Sequence, residues 1–235
     1  MTSTNRSVAK RLLGSRDRAI IDDAIRMRLV TNAIVQKRHM RSLTENAVTK
    51  ITSKLCAEGW LVAHQLNGRR VYFTPGIRSV RAFDLSHKLL RPLGSQSFPT
   101  WFAIANHVAN AETSQRVTTR EEVQKVCSWL PTELAAQPHI VHQKNDSFEL
   151  VLLRVDLGGS LKHIAQKCKE DIDRRLASPE FGALLEAKAF IHCILTTTKP
   201  KEVALRQELS AHRWPDGLRF RTSVVPELLS AIGTE

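Results

Sequence analysis

Apolar and polar positions change period several times along this chain, and the changes outline its elements. Residues 1–15 are rich in Ser, Thr, Asn, Arg and Lys and predict a loose basic arm. From Arg16 onward Ala19, Ile20, Ala24, Ile25, Met27, Leu29 and Val30 recur near the 3.6-residue helical period. A second short helix is expected over 33–39, with Ile34 and Val35 facing inward. Ser42-Leu43-Thr44-Glu45 has the Ser-x-x-Glu form of a capping box. A third helix therefore follows, burying Val48, Ile51, Leu55 and Cys56, with Gly59 at its C-terminal end. Trp60 to Leu66 and Val71 to Thr74 then read as short strands. Asn67-Gly68 between them tolerates the positive φ angles of a type I′ hairpin turn, and Pro75-Gly76 closes the segment.

Beyond the hairpin, 77–90 is partly helical in pattern and Arg91 to Pro99 reads as a loop. Helices are expected at 100–111 and 120–129. His139 to His142 and Phe148 to Val155 predict strands, the second apolar enough for a central position. An amphipathic helix at 161–176, an apolar strand at 189–196 and a helix at 201–212 complete a strand–helix alternation that suggests a partly parallel sheet. The expected class is α+β. A winged helix-turn-helix spans 16–80 after the arm, a helical linker spans 81–118, and a small α/β domain spans 119–235.

Composition changes this picture in one respect. Apolar residues make up 42% and charged residues 25%, as in an ordinary globular protein, but Lys and Arg number 35 against 23 Asp and Glu, a net charge of +12. Such a surface attracts polyanions, and each Lys or Arg contact with a phosphate releases condensed counterions. The four cysteines are far apart in sequence, with no Cys-x-x-Cys pair, so zinc and disulfide frameworks are not expected. No stretch approaches the roughly 20 apolar residues of a membrane span, and 1–13 lacks the apolar core of a signal peptide. The expected setting is cytoplasmic, without a membrane partner.

The third helix and the hairpin carry the candidate chemistry. A helix fits the major groove, where base edges show a unique donor and acceptor pattern. With Val48, Ile51 and Leu55 inward, the opposite face presents Asn46, Thr49, Lys50 and Ser53, while Thr44 sits at the helix start where free amides favour phosphate. Arg69 and Arg70 at the hairpin tip are placed for a minor groove or a phosphate backbone. These seven residues form the expected double-stranded DNA contact set. Three other clusters point elsewhere. His139 and His142 fall on opposite faces of a strand, which argues against shared metal ligation. Ser160 after Gly158-Gly159 suits a helix N-cap better than a nucleophile. Lys162, Lys167, Lys169, Arg174 and Arg175 interleave with Glu170, Asp171 and Asp173, as on a solvated, salt-bridged helix face.

Thr31-Asn32-Ala33 through Leu61, followed by Asn67-Gly68-Arg69-Arg70-Val71-Tyr72-Phe73-Thr74-Pro75-Gly76, resembles the winged helix of the replication-relaxation proteins of plasmids and integrative elements. Ser86-His87-Lys88-Leu89-Leu90 fits the place of a family histidine. The resemblance implies action at replication or transfer origins and a second half similar to the restriction-endonuclease core. In that core, carboxylates bind a divalent metal that activates water. Leu153-Arg154-Val155-Asp156-Leu157-Gly158-Gly159 is similar to the family's strand end and turn, with Lys167 and the strand 191–196 downstream. The pattern departs at two places. Pro138-His139 stands where an acidic residue follows Pro, and Arg154 stands where the strand carries Glu, leaving Asp156 alone.

The resemblance therefore implies a nuclease-like fold without catalytic residues, metal or cofactor. The expected function is sequence-specific DNA binding in a mobile element, either at a transfer or replication origin or in transcriptional control. The expected partners are a second copy, since two half-sites multiply specificity, and a relaxase or other transfer or replication protein. A metal-dependent nuclease steered by the winged helix, using Asp156, is the alternative. A protein-interaction module that has lost DNA binding is a third reading.

Overall fold

Helix caps and close backbone approaches explain most of the architecture, beginning with the basic half of the chain. The computed structural model describes residues 13–66, 71–111, 115–144 and 147–232. Helices and two small sheets make it a mixed α+β structure. Residues 1–112 and 113–233 form two compact units.

The first unit contains α1 (Ser15–Arg26), α2 (Asn32–His39), α3 (Glu45–Ala57), β1 (Leu61–Gln65), β2 (Val71–Pro75), α4 (Ile77–Ala82), a 3₁₀ turn (His87–Leu90) and α5 (Ser97–Asn110). Ile20, Ile21, Ala24, Met27, Leu29, Ile34, Val35, Val48 and Leu55 are buried on the first three helices and their connections. At roughly 1.5–3 kcal/mol for each large side chain, this burial is what holds short helices together. β1 and β2 pair antiparallel from Leu61↔Pro75 to Gln65↔Val71. Val30, between α1 and α2, adds a one-residue third strand through two hydrogen bonds with Phe73, at 2.9 and 2.8 Å. The connecting residues 67–70, with the Asn67-Gly68 turn, lie outside the described residues.

The capping box expected from Ser42 and Glu45 does not form. Met40 to Leu43 is a turn closed by a 2.9 Å bond from the Leu43 amide to the Met40 carbonyl, and it leaves Ser42 outside the helix. Thr44 caps α3 instead, its Oγ1 accepting from the Ala47 amide at 3.4 Å. With Thr44 as N-cap the third helical position is Ala47, which has no carboxylate to reach back. The C-terminal end agrees with the expectation. Gly59 adopts φ +76°, the Trp60 amide reaches the Leu55 carbonyl at 2.8 Å, and the Gly59 amide reaches that of Cys56 at 2.9 Å. Together these make a Schellman motif.

Gly76 locks this helix end to the hairpin. Its amide donates to the Trp60 carbonyl at 2.7 Å, Arg78 donates to the Gly59 carbonyl at 2.9 Å, and Ser79 Oγ donates to Trp60 at 2.6 Å. A Cβ at Gly76 would lie 2.3 Å from the Gly59 carbonyl oxygen, so only glycine fits. Arg91 to Pro99, expected as a loop, already enters α5 at Ser97. Pro99 sits in the first helical turn, where its missing N–H costs nothing.

The second unit contains α6 (Arg120–Val126), α7 (Thr132–Ala135), β3 (His139–Lys144), β4 (Ser147–Val155), α8 (Leu161–Leu176), α9 (Pro179–Glu186), β5 (Phe190–Thr196), α10 (Lys199–Ser210), β6 (Arg219–Val224), a second 3₁₀ turn (Pro226–Leu228) and α11 (Leu229–Ile232). The sheet order is β3-β4-β5-β6, with β3/β4 antiparallel and β4/β5 and β5/β6 parallel. One sheet face carries Leu150, Leu152, Phe190 and Ile194. They pack with Val123, Leu134, Ile172, Phe181, Ile164, Cys168 and Leu205 from α6 to α10. Ser160 caps α8, accepting from the His163 amide at 3.2 Å, as its position after two glycines suggests.

The solvated face expected for α8 is only partly so. Lys167 and Glu170 form an exposed pair, but Asp171 and Arg175 are buried, at 0% and 1% exposure. Periodicity places both on the side occupied by Ile164, Cys168 and Ile172. The strand β6 and the helix α9 had no counterpart in the sequence reading. Arg219-Phe220-Arg221-Thr222 alternates charged and aromatic residues and lies at the sheet edge, where a strand needs no continuous apolar run.

Candidate nucleic-acid interface

The outward face of α3 follows from its inward one. Val48, Thr52 and Leu55 are buried at spacings of four and three, whereas Ile51 and Cys56 are half-buried flanks. Thr44, Asn46, Thr49, Lys50 and Ser53 are all exposed. Positions 46, 49, 50 and 53 form one stripe along the helix, so these side chains share a direction. Arg69 and Arg70 lie outside the described residues.

Thr52 is the buried position that an apolar pattern misses. Its hydroxyl donates toward the Asn32 side-chain oxygen at 2.9 Å, and Asn32 Nδ2 in turn donates to Thr49 Oγ1 at 3.1 Å. Asn32 opens α2, so these two bonds join the start of α2 to the middle of α3. No local sequence signal marks Asn32, because its partners lie 17 and 20 residues away. Elsewhere α2 is tied down by charge. Asp23 of α1 is buried and accepts from Arg38 Nε at 2.5 Å, and it lies 2.7 Å from His39 Nε2. Arg38 also donates to the Val108 carbonyl of α5 at 3.3 Å.

Behind the hairpin, aromatic rings form a run. His64 stacks on Tyr72 at 5.0 Å, Tyr72 meets Phe98 at 5.0 Å, and Phe98 meets Phe102 at 5.4 Å. The Tyr72 hydroxyl accepts from the Leu93 amide at 2.9 Å. Burial pushes the His64 imidazole below its ordinary pKa, and its Nε2 lies 2.8 Å from Thr74 Oγ1. His87 is exposed at the start of the 3₁₀ turn that Ser86 caps.

Charge divides unevenly between the units. Residues 1–112 hold 18 Lys and Arg against seven Asp and Glu, a net of +11. Residues 113–235 hold 17 against 16, a net of +1. In the second unit Arg116, Lys167, Arg174, Arg175, Lys199, Lys201, Arg206 and Arg219 all have carboxylate partners within 4 Å. Arg41, Lys50, Arg81, Lys88 and Arg91 in the first unit are exposed, with no carboxylate partner among the described residues, as are Lys125, Lys162, Lys169, Lys188, Arg213 and Arg221 in the second.

The second unit's residues of interest form two groups. Asp156, at the end of β4, is buried. Its carboxylate meets Lys201 Nζ at 2.7 Å, accepts from the Gly158 amide at 2.9 Å, and accepts from Thr196 Oγ1 at 3.3 Å. Arg154 lies two residues before it on the helix-covered face, 3.8 Å from Asp171. Asp171 is the centre of the other group. It takes Arg175 at 2.8 Å, Arg174 at 3.0 Å and Gln137 Nε2 at 3.0 Å. The positive charge of Arg175 and the hydrogen bonds hold its carboxyl below the usual range against the opposing effect of burial.

His139 and His192 belong to this second group, each aligned with Leu152 across the sheet. Both are fully buried, and burial pushes each imidazole down to about 3, helped by neighbouring arginines. His142, three residues from His139, falls on the opposite sheet face. Among the described residues no group of three or more His, Cys, Asp or Glu is arranged to hold a metal ion.

No family model, curated protein or solved structure matches this chain. The reading of function therefore depends on the geometry and charge of these sites and on the residues that carry the family resemblance.

Proposed function

We propose that residues 16–80 act as a winged helix-turn-helix that binds double-stranded DNA, with α3 in the major groove and the β1–β2 hairpin as the wing. The observation that carries this reading is the exposed stripe Asn46, Thr49, Lys50 and Ser53 on the unit that holds +11 of the net +12 charge. Lys50 supplies an unpaired cation, Asn46 an amide suited to an adenine edge, and Thr49 and Ser53 hydroxyls for bases or phosphates. The capped start of α3 favours a phosphate beside Thr44. Arg69 and Arg70 fall on the proposed wing.

The second unit, whose net charge is only +1, serves assembly or partner contact in this reading and does not cut DNA. Asp156 is neutralised by Lys201, and Arg154 stands where a metal ligand would be needed. The proposed setting is a mobile element, at a transfer or replication origin or a promoter, with the protein acting as a dimer on paired half-sites.

Binding of the full chain to duplexes recovered from a randomised pool, followed by fluorescence anisotropy across a salt series, tests the reading. Lys50→Ala is expected to weaken binding and to lower the slope of log affinity against log salt by about one. A triple Asn46→Ala, Thr49→Ala, Lys50→Ala variant that binds with parental affinity and selects the parental sequence would refute α3 as the reading helix. A divalent-metal series on the same duplex, read on a denaturing gel, should show no strand cleavage.

A further inference from the structure

The hydrogen-bond chain at the root of α3 has a direction. Thr52 Oγ1 has three oxygens in reach, the Val48 carbonyl at 3.3 Å, the Thr49 carbonyl at 3.1 Å and Asn32 Oδ1 at 2.9 Å, and the last is the shortest. A hydroxyl has one proton, so giving it to Asn32 Oδ1 fixes the orientation of that amide. Asn32 Nδ2 then faces Thr49 Oγ1, 3.1 Å away, and donates to it. Thr49 receives a hydrogen bond from inside the unit, and its own proton has no acceptor among the described residues. Thr49 is exposed, so that proton is directed outward.

We propose that Asn32 is a positioning residue that makes Thr49 a hydrogen-bond donor toward DNA, and so sets which base edges or phosphate oxygens Thr49 accepts as partners. The inference rests on the DNA-binding reading and adds a polarity to it. A donor at this position suits guanine O6 and N7, thymine O4, adenine N7 or a phosphate oxygen. With one lone pair already taken by Asn32, Thr49 is a poorer match for the amino groups of cytosine N4 or adenine N6. Asn32 itself stays half-buried and need not touch DNA. Its effect passes through Thr49.

Asn32→Asp reverses the chain with almost no change in shape. A carboxylate only accepts, so Thr49 must turn its proton inward and present lone pairs outward. An acidic residue in the first turn of α2 suits the helix dipole, so the fold is retained, as a thermal melt would check. On the duplex that the parent selects from a randomised pool, Asn32→Asp is expected to bind about tenfold more weakly, the size of one misdirected hydrogen bond. Selection repeated with Asn32→Asp should move the preference at one base position toward cytosine or adenine amino groups.

The new negative charge also repels DNA in general, and Thr49→Val separates the two effects. In the Thr49→Val background Asn32→Asp should change affinity only slightly and base preference not at all. Thr49→Ser, which keeps the hydroxyl, should bind like the parent. An Asn32→Asp protein with parental affinity and preference would overturn the proposal while leaving DNA binding intact. An equal loss in the Thr49→Val background would overturn it in the same way. A parent that selects no duplex would overturn the DNA-binding reading and this inference with it.

Discussion

Two imidazoles are buried in the sheet of the second unit, and acid should unfold it for that reason. His139 is 0% exposed; its Nδ1–H donates to the Gln137 carbonyl at 2.8 Å, and its Nε2 has no partner among the described residues. His192 is also 0% exposed, with Nε2 3.8 Å from Cys168 Sγ and the Phe220 ring stacked at 5.7 Å. Arg175 acts on both rings as a fixed cation and Arg154 on His192, against the opposing charge of Asp171. Each imidazole sits near 3 in the fold against 6.5 in the open chain. The unfolded chain therefore binds more protons between those two values, and stability falls as pH drops through that window.

At pH 4.5 the loss is roughly 2.5–3 kcal/mol for each histidine, or about 5–6 kcal/mol for the pair, against a typical total of about 5–15 kcal/mol. Asp171 acts in a lower window, because its depressed carboxyl loses its contribution only below the ordinary carboxylate value. Urea unfolding followed by tryptophan fluorescence, with Trp129 and Trp214 as reporters in this unit, gives stability at each pH. The slope between about pH 6.5 and 4.5 should correspond to nearly two protons in the parent and nearly one in His192→Phe. A stability that is flat over that window, or a slope that His192→Phe leaves unchanged, would refute the reasoning.

Three further perturbations test the packing. Gly76→Ala should cost about 3 kcal/mol or more, since its Cβ meets backbone at 2.3 Å. Gly59→Ala, at φ +76°, should cost about 1 kcal/mol, and Gly182→Ala, in open space on a helix, should be neutral or stabilising; denaturant midpoints rank the three. Thr44→Ala should lower stability by about 1 kcal/mol while Ser42→Ala changes it little, because only Thr44 caps α3. Asp171→Asn should cost about 3–5 kcal/mol by leaving the Arg175 charge buried without its counter-ion, and Lys167→Ala, in an exposed pair, under about 0.5 kcal/mol.

What could be read from the sequence was local. The range 161–176 for α8 agrees with the structure because a full amphipathic stripe and Ser160 both lie within the helix and its cap. Gly59 was legible for the same reason, since a positive φ at a helix end has few alternatives to glycine. The start of α3 was less so. Ser42 and Thr44 both have capping chemistry, and a turn closed through the Met40 carbonyl decides between them. That bond depends on where Met40 lies after α2, which no four-residue motif encodes. The helix α9 and the edge strand β6 were invisible because neither carries a long periodic pattern, and both are held in place by residues distant in sequence.

The candidate site divides in the same way. The outward stripe of α3 is a complement of its apolar face, so the sequence order of 46, 49, 50 and 53 was enough to name it. The buried members of the site depend on partners that periodicity cannot supply. Thr52 reads as polar and therefore exposed until Asn32 is brought to it, and Asp171 and Arg175 read as a solvated pair until Gln137 and the sheet cover them. Net charge has this blindness on a larger scale. The value +12 does not say that the second unit cancels its own charge, because cancellation is a matter of which acid lies near which base. Unpaired cations remain on both units, Lys125, Lys162, Lys169, Lys188 and Arg221 among them on the second, but the excess of +11 lies on the unit that carries the polar stripe. The proposed DNA-binding reading draws on that excess: a polyanion is attracted by the net field, and the second unit, at +1, contributes little of it.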